Sequence, residues 1–263
     1  MAVRLSSRAD IPAARRIVVK VGSSSISGEN TSQISLLADA LASAHRRGTE
    51  VILVSSGAIA TGIPLLSLGE RPTDLATQQA AAAVGQNALI VRYQDALSRY
   101  GITAGQVLLT AGDLENDRSR QNAQRAMERL MGLHVLPIVN ENDTVATDEI
   151  RFGDNDRLAS LVAELVSAEC LVLLSDVDAL YTRPPTEAGA RPVGVVPYGD
   201  GLEGITVGSV GTGLGTGGAL TKVAAARYAA DCGTAVLLTS TAQVSQALTG
   251  KNVGTWFEPL VSA

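Results

Sequence analysis

Short apolar runs alternate along the chain with longer stretches whose apolar side chains recur at helical spacing, and this alternation restricts the fold more than any other feature. Ile17-Val18-Val19-Lys20-Val21 runs into Gly22 and three serines, as a buried strand runs into a loop. Thr31 or Ser32 can cap the next segment, where Ile34, Leu37, Leu41 and Ala44 share a helical face until Gly48 stops it. A second strand is expected at 51–54, with a turn after it as far as Gly69, and the alanine-rich stretch 74–99 predicts a helix that Gly85 could interrupt. Further strands are expected at 102–109, 135–139, 171–174, 235–238 and 254–257, and helices at 118–130, 157–166 and 219–231. Near-continuous apolar strands separated by amphipathic helices predict an α/β fold, a mainly parallel sheet covered by helices on both faces.

Two stretches break the alternation: 144–152, which could form a β-hairpin, and 182–218, rich in Gly and Pro. Neither reads as a linker, so the expectation is a single domain over 17–258 with two lobes, 17–165 and 166–258, behind an N-terminal extension, 1–16, that is poorly ordered. Hydrophobic residues make up 46% of the chain and charged residues 18%, enough apolar surface for a core and too much charge for a membrane bundle. The uncharged run 51–69 is broken by Ser55, Ser56, Gly57, Gly62 and Pro64, so no membrane span is expected there. A net charge of −5 argues against a broad nucleic-acid or anionic-membrane surface. Met1 to Lys20 lacks the apolar core of a secretion signal, and Cys170 and Cys232 form neither a disulfide framework nor a zinc pattern with His45 and His134. A cytoplasmic location follows as the expectation. Both cysteines are expected to pack as small apolar residues, His45 to sit at a helix end and His134, opening a strand, to serve in the core or a turn.

In an open parallel sheet, ligands bind beyond the carboxyl ends of the strands, so polar clusters after strands are where chemistry is expected. The clusters are Gly22-Ser23-Ser24-Ser25, Ser55-Ser56-Gly57, Asn140-Glu141-Asn142-Asp143, Gly153-Asp154-Asn155-Asp156, Ser175-Asp176-Val177-Asp178 and the glycine run from Gly213 to Gly218, which leads to Lys222. The glycine run fits a phosphate cradle or a surface loop equally well. It matches G-x-G-x-x-G, but so does Gly199/Gly201/Gly204, and neither shows dinucleotide-fold context. Lys20 within an apolar strand needs an anion, either a structural carboxylate or a phosphate. Asp143, Asp154 and Asp156 could cap helices and form turns, or could organise a lysine, a metal or a substrate ammonium.

Taken in order, these clusters together with Ala83-Val84-Gly85-Gln86 resemble the amino acid kinase family over roughly residues 17–257, and within it the branch acting on glutamate. The resemblance implies a three-layer αβα sandwich of the acetylglutamate kinase-like type, with a glutamate-binding first lobe and an ATP-binding second lobe. It implies ATP-dependent phosphorylation of the side-chain carboxylate of L-glutamate, the opening step of proline biosynthesis, with Mg²⁺ accompanying ATP and no metal held by protein side chains. Lys20, Lys222 and Asp156 take the catalytic roles by motif correspondence. Ser56, Asp143, Asn155 and Asp154 correspond to the substrate site. Lys20, Ser175, Asp176, Thr216, Gly217, Gly218, Ala219, Leu220, Thr221 and Lys222 correspond to the nucleotide site. Two positions depart from the family pattern: Ala219 stands where Met is common and Ser175 where Thr is common. The resemblance further implies a homo-oligomer, dimer or tetramer, with proline feedback, no nucleic-acid or membrane partner, and a chain read as lacking the C-terminal PUA domain of many relatives. The competing readings are a kinase for another small carboxylate, such as an acylated amino acid, and a non-catalytic amino-acid sensor.

Overall fold

The computed structural model describes residues 5–26, 28–146, 155–202 and 218–260. Eight strands form one sheet: β1 (Arg16–Lys20), β2 (Glu50–Val54), β3 (Ala104–Leu109), β4 (Leu136–Glu141), β5 (Cys170–Ser175), β6 (Val195–Val196), β7 (Ala235–Ser240) and β8 (Thr255–Phe257). Their order is β3-β4-β2-β1-β5-β7-β8-β6. The first six strands in that order are mutually parallel, β8 runs antiparallel to β7, and β6 runs parallel to β8. Apolar residues of β1, β2, β4, β5 and β7 are buried on both faces, which is why these strands read as unbroken apolar runs.

The helices are α1 (Gln33–Arg46), α2 (Ala58–Leu65), α3 (Leu75–Ser98), α4 (Ala111–Glu115), α5 (Asp117–Gly132), α6 (Asn155–Leu165), α7 (Ala219–Asp231) and α8 (Val244–Leu248). One core layer joins α1, α3 and α8 to the sheet through Leu37, Leu41, Leu89, Tyr93 and Leu248; the other joins α5, α6 and α7 through Met127, Leu158, Val162 and Ala226. The expected sandwich is therefore present. At roughly 25 cal/mol per Å² of apolar surface removed from water, these two layers are the main force holding it together.

Several local expectations need correction. A helix, α2, occupies most of the stretch where a turn was expected. Its apolar composition reflects burial of Ala58, Ile59 and Gly62 against α3. Helix α3 is unbroken, because Gly85 serves contact and not interruption: a Cβ there would lie 1.9 Å from the Ala58 carbonyl oxygen, and one at Gly62 would lie 1.9 Å from that of Ala81. Ser32 does not cap α1 through its side chain; its backbone is already helical, continuing a 3₁₀ turn at Gly28–Ser32. Residues 5–14 are not loose. Arg8–Ala13 form a 3₁₀ turn, Leu5 and Ile11 are buried, and Arg8 donates to the Val253 and Gly254 carbonyls at 2.9 Å. Cys170 is buried as expected, whereas Cys232 is exposed at the end of α7. His45 lies in the last turn of α1 and His134 follows α5 with a positive φ of 58°, both at element ends. Most of the hairpin expected at 144–152 lies outside the described residues. No helix among the described residues is long and apolar enough to cross a membrane.

Candidate active site

Parallel pairing puts the carboxyl ends of six strands at one edge. Lys20, the last residue of β1, is in register with Val54 of β2 and Leu173 of β5, and Val54 is in register with Val139 of β4. The loops that follow therefore meet: Gly22–Ser25 after β1, Ser55–Gly57 after β2, Asn142–Asp143 after β4 and Asp176 after β5. The chain moves one way along the sheet from β1 to β2 and the other way from β5 to β7, so the crevice between β1 and β5 is a topological switch point.

At that edge the first turn of α6 brings Asp156, fully buried, between two lysines. Lys20 Nζ lies 2.5 Å from one carboxylate oxygen and Lys222 Nζ 3.0 Å from the other. Thr221 Oγ1 also donates to Asp156, at 3.1 Å. Burial alone would raise the Asp156 carboxyl, but the Lys20 and Lys222 ammonium groups outweigh it and hold the group well below the usual carboxylate range. Two ammonium groups converge on one carboxylate here, an arrangement that suits the corner to an anion.

Beside it lies a second polar cluster. Asn155 Nδ2 donates to the Ser55 carbonyl at 2.8 Å, to Ser56 Oγ at 2.9 Å and to Asn140 Oδ1 at 3.0 Å. Ser55 Oγ lies 2.9 Å from the Tyr93 hydroxyl, whose pKa burial pushes up. Gly57 turns the chain from β2 into α2 with a φ of 96°, a conformation that costs an L-residue roughly 1–2 kcal/mol. Asp143 is half-buried, and loss of solvent pushes its carboxyl up to about 6 despite nearby Arg71. Across the switch point, Ser24 Oγ lies 2.9 and 3.0 Å from the two Asp176 carboxylate oxygens, and Ser25 Oγ donates to one at 3.1 Å.

The structure thus brings together Lys20, Lys222 and Asp156 in one cluster, and Ser56 and Asn155 in the next. Asp143 stands on the adjoining β4 loop, Ser175 ends β5 and Asp176 opens the loop after it. Gly218, Ala219, Leu220 and Thr221 lead the chain into Lys222 at the start of α7. Asp154, Thr216 and Gly217 lie outside the described residues. Sequence reasoning missed Tyr93, and it noted Gln86 and Asn140 only as parts of motifs. Their signal was present: polar side chains at positions otherwise expected to face the core. Among the described residues no group of three or more His, Cys, Asp or Glu side chains could hold a metal ion.

The profile described as Amino acid kinase family matches residues 15–240. The chain belongs to the amino acid kinase family. A glutamate 5-kinase of Clavibacter sepedonicus is 72% identical over 97% of this chain and 98% of its own length. One of Leifsonia xyli subsp. xyli is 70% identical over 97% of this chain and 95% of its own length. Among solved structures, carbamate kinase from Giardia lamblia bound to AMP-PNP superposes with a TM-score of 0.68, covering 95% of this chain and all of that one. At 15% identity that likeness concerns the amino acid kinase fold alone.

Proposed function

We propose that this amino acid kinase transfers the γ-phosphoryl group of ATP to the side-chain carboxylate of L-glutamate, forming L-glutamyl 5-phosphate, the first step of proline biosynthesis. The observation that carries the reading is the convergence of Lys20 and Lys222 on Asp156 at the switch point. The identity to named glutamate 5-kinases supports the acceptor.

At neutral pH the acceptor carboxylate is already ionised, so no base has to remove a proton from it. What the reaction requires is alignment and neutralisation of charge on the transferred group. Lys20 and Lys222 supply the neutralisation, held at fixed positions by Asp156. Thr221 and the start of α7 take the nucleotide phosphates, together with Gly218, Ala219 and Leu220 and with Thr216 and Gly217 of the preceding run. Ser175 and Asp176 line the nucleotide on the β5 side. Ser56 donates to a substrate carboxylate, Asn155 contacts the amino acid, Asp143 pairs with its ammonium, and Asp154 supports that loop. In this reading residues 17–165 form the glutamate lobe and 166–258 the ATP lobe.

Both oxygens of Asp156 are engaged by the lysines, so Asp156 does not fit a metal-ligand role. Mg²⁺ would travel with ATP on phosphate and water oxygens, shielding phosphate charge when bound. The same reading includes a cytoplasmic homo-oligomer, dimer or tetramer, restrained by proline.

An acceptor panel tests the substrate. ADP release should depend on L-glutamate, with N-acetylglutamate at least tenfold poorer in kcat/KM, because acetylation removes the charge that Asp143 pairs with. Equal use of the acetylated compound would overturn the assignment of Asp143 and of glutamate.

A further inference from the structure

We propose that Gln86 is a positioning residue for the amino-acid pocket, stabilising through Asn140 the orientation of the Asn155 amide that the Ser55 carbonyl and the Glu141 N–H select. The inference rests on reading that pocket as the glutamate site. Asn155 Nδ2 has two hydrogens and three acceptors within 3.0 Å: the Ser55 carbonyl, Ser56 Oγ and Asn140 Oδ1. A primary amide can rotate to exchange its nitrogen and oxygen, so something must decide the orientation.

Two neighbours cannot change sign. The Ser55 carbonyl only accepts, and the Glu141 backbone N–H, 2.9 Å from Asn140 Oδ1, only donates. The Glu141 N–H turns the oxygen of Asn140 toward itself and toward Asn155. The nitrogen of Asn140 must then face the other way, into the interior, where the residue is 1% exposed. There the Asn140 amide donates to Oε1 of Gln86, itself buried on α3. Gln86 supplies the acceptor that makes this orientation affordable; without it, a buried N–H group would lack a partner.

The consequence reaches the ligand. With its nitrogen committed to Ser55, Ser56 and Asn140, Asn155 keeps Oδ1 as a buried acceptor that has no hydrogen-bond partner among the described residues. Ser56 Oγ, accepting from Asn155, has its own O–H to donate elsewhere. An acceptor beside a hydroxyl donor matches a molecule carrying both an ammonium and a carboxylate. A flipped Asn155 would present N–H groups to that ammonium and weaken binding.

The test compares Gln86→Met, which keeps length and removes the acceptor, with Gln86→Glu, which restores one, reading KM for glutamate, KM for ATP and kcat. Gln86→Met should raise KM for glutamate about five- to tenfold, the effect of one buried neutral hydrogen bond, with KM for ATP and kcat within about twofold. Gln86→Glu should return KM for glutamate to within about threefold of the parent chain. An unchanged KM for glutamate, parallel changes in all three constants, or no recovery with Gln86→Glu would each overturn the proposal. If Gln86→Met does not fold, Gln86→Glu decides alone: a rise within about threefold supports the role and a larger one rejects it. Ser56→Ala separates the two levels of the argument. If it leaves KM for glutamate unchanged, the glutamate-site reading itself fails; if it raises KM while Gln86→Met does not, only the role of Gln86 fails.

Discussion

At the scale of single residues, Asp156 lies between two buried lysines. Replacing it with Asn keeps the shape and removes the charge. The expected cost is about 3–5 kcal/mol, the usual result of leaving buried charge uncompensated. Thermal or denaturant melting of Asp156→Asn checks this, and a stability equal to the parent chain would show that water already screens the lysines. The low pKa of Asp156 carries a sign. A carboxyl depressed in the folded state contributes stability above its unfolded pKa, and the contribution is lost as pH falls through the folded value. Asp143 behaves in the opposite sense. Its carboxyl, raised to about 6, favours the folded state most below its unfolded pKa, and that contribution disappears as pH rises through about 6. Its ionised form is the one that pairs with an ammonium. The kcat/KM for glutamate should therefore fall about tenfold per pH unit below pH 6, and Asp143→Asn should lower kcat/KM while flattening that limb. A pH profile of both chains measures it.

At the scale of elements, the contact between α2 and α3 is set by two glycines that let backbone meet backbone. Gly85→Ala would put a methyl 1.9 Å from the Ala58 carbonyl oxygen, so the helices must separate. A loss of about 1–3 kcal/mol is expected on melting, together with a higher KM for glutamate, because α2 begins at the loop that carries Ser56. Unchanged melting would mean that the crossing is slack. This contact also shows why α2 was illegible. An apolar stretch broken by Gly and Pro reads as a turn when its partner helix is unknown, since only close packing against α3 makes Gly62 useful, while Pro64 sits exposed in the last turn. By contrast, β1, β2, β4, β5 and β7 were plain in the sequence, because strands buried on both faces have no polar alternation to obscure them.

At the scale of the whole molecule, eight strands form one sheet, and its switch point joins Lys20 from the chain's start to Lys222 from near its end. Lys20 was legible as a residue in need of an anion, because an ammonium in an apolar strand is costly alone, but the residue pattern left open whether that anion was a structural carboxylate or a phosphate. That Asp156, and not another carboxylate, meets both lysines was legible only through the family resemblance, since residue spacing says nothing about contacts across 66 positions. Gln86 and Tyr93 were visible only as polar side chains at core-facing positions; the partners they support were illegible for the same reason. Both lie on α3, Tyr93 beside Ser55 after β2 and Gln86 beside Asn140 in β4.

The central claim is that Lys20 and Lys222 stabilise the phosphoryl group as it moves to a carboxylate. Its most direct test traps the acyl phosphate with hydroxylamine in reactions with saturating ATP, Mg²⁺ and glutamate, for the parent chain and for Lys20→Ala and Lys222→Ala. Hydroxamate should form with the parent chain and fall about 10²–10³-fold in turnover with either variant. Equal hydroxamate yield from the parent and variant chains, or none from the parent, would contradict the account.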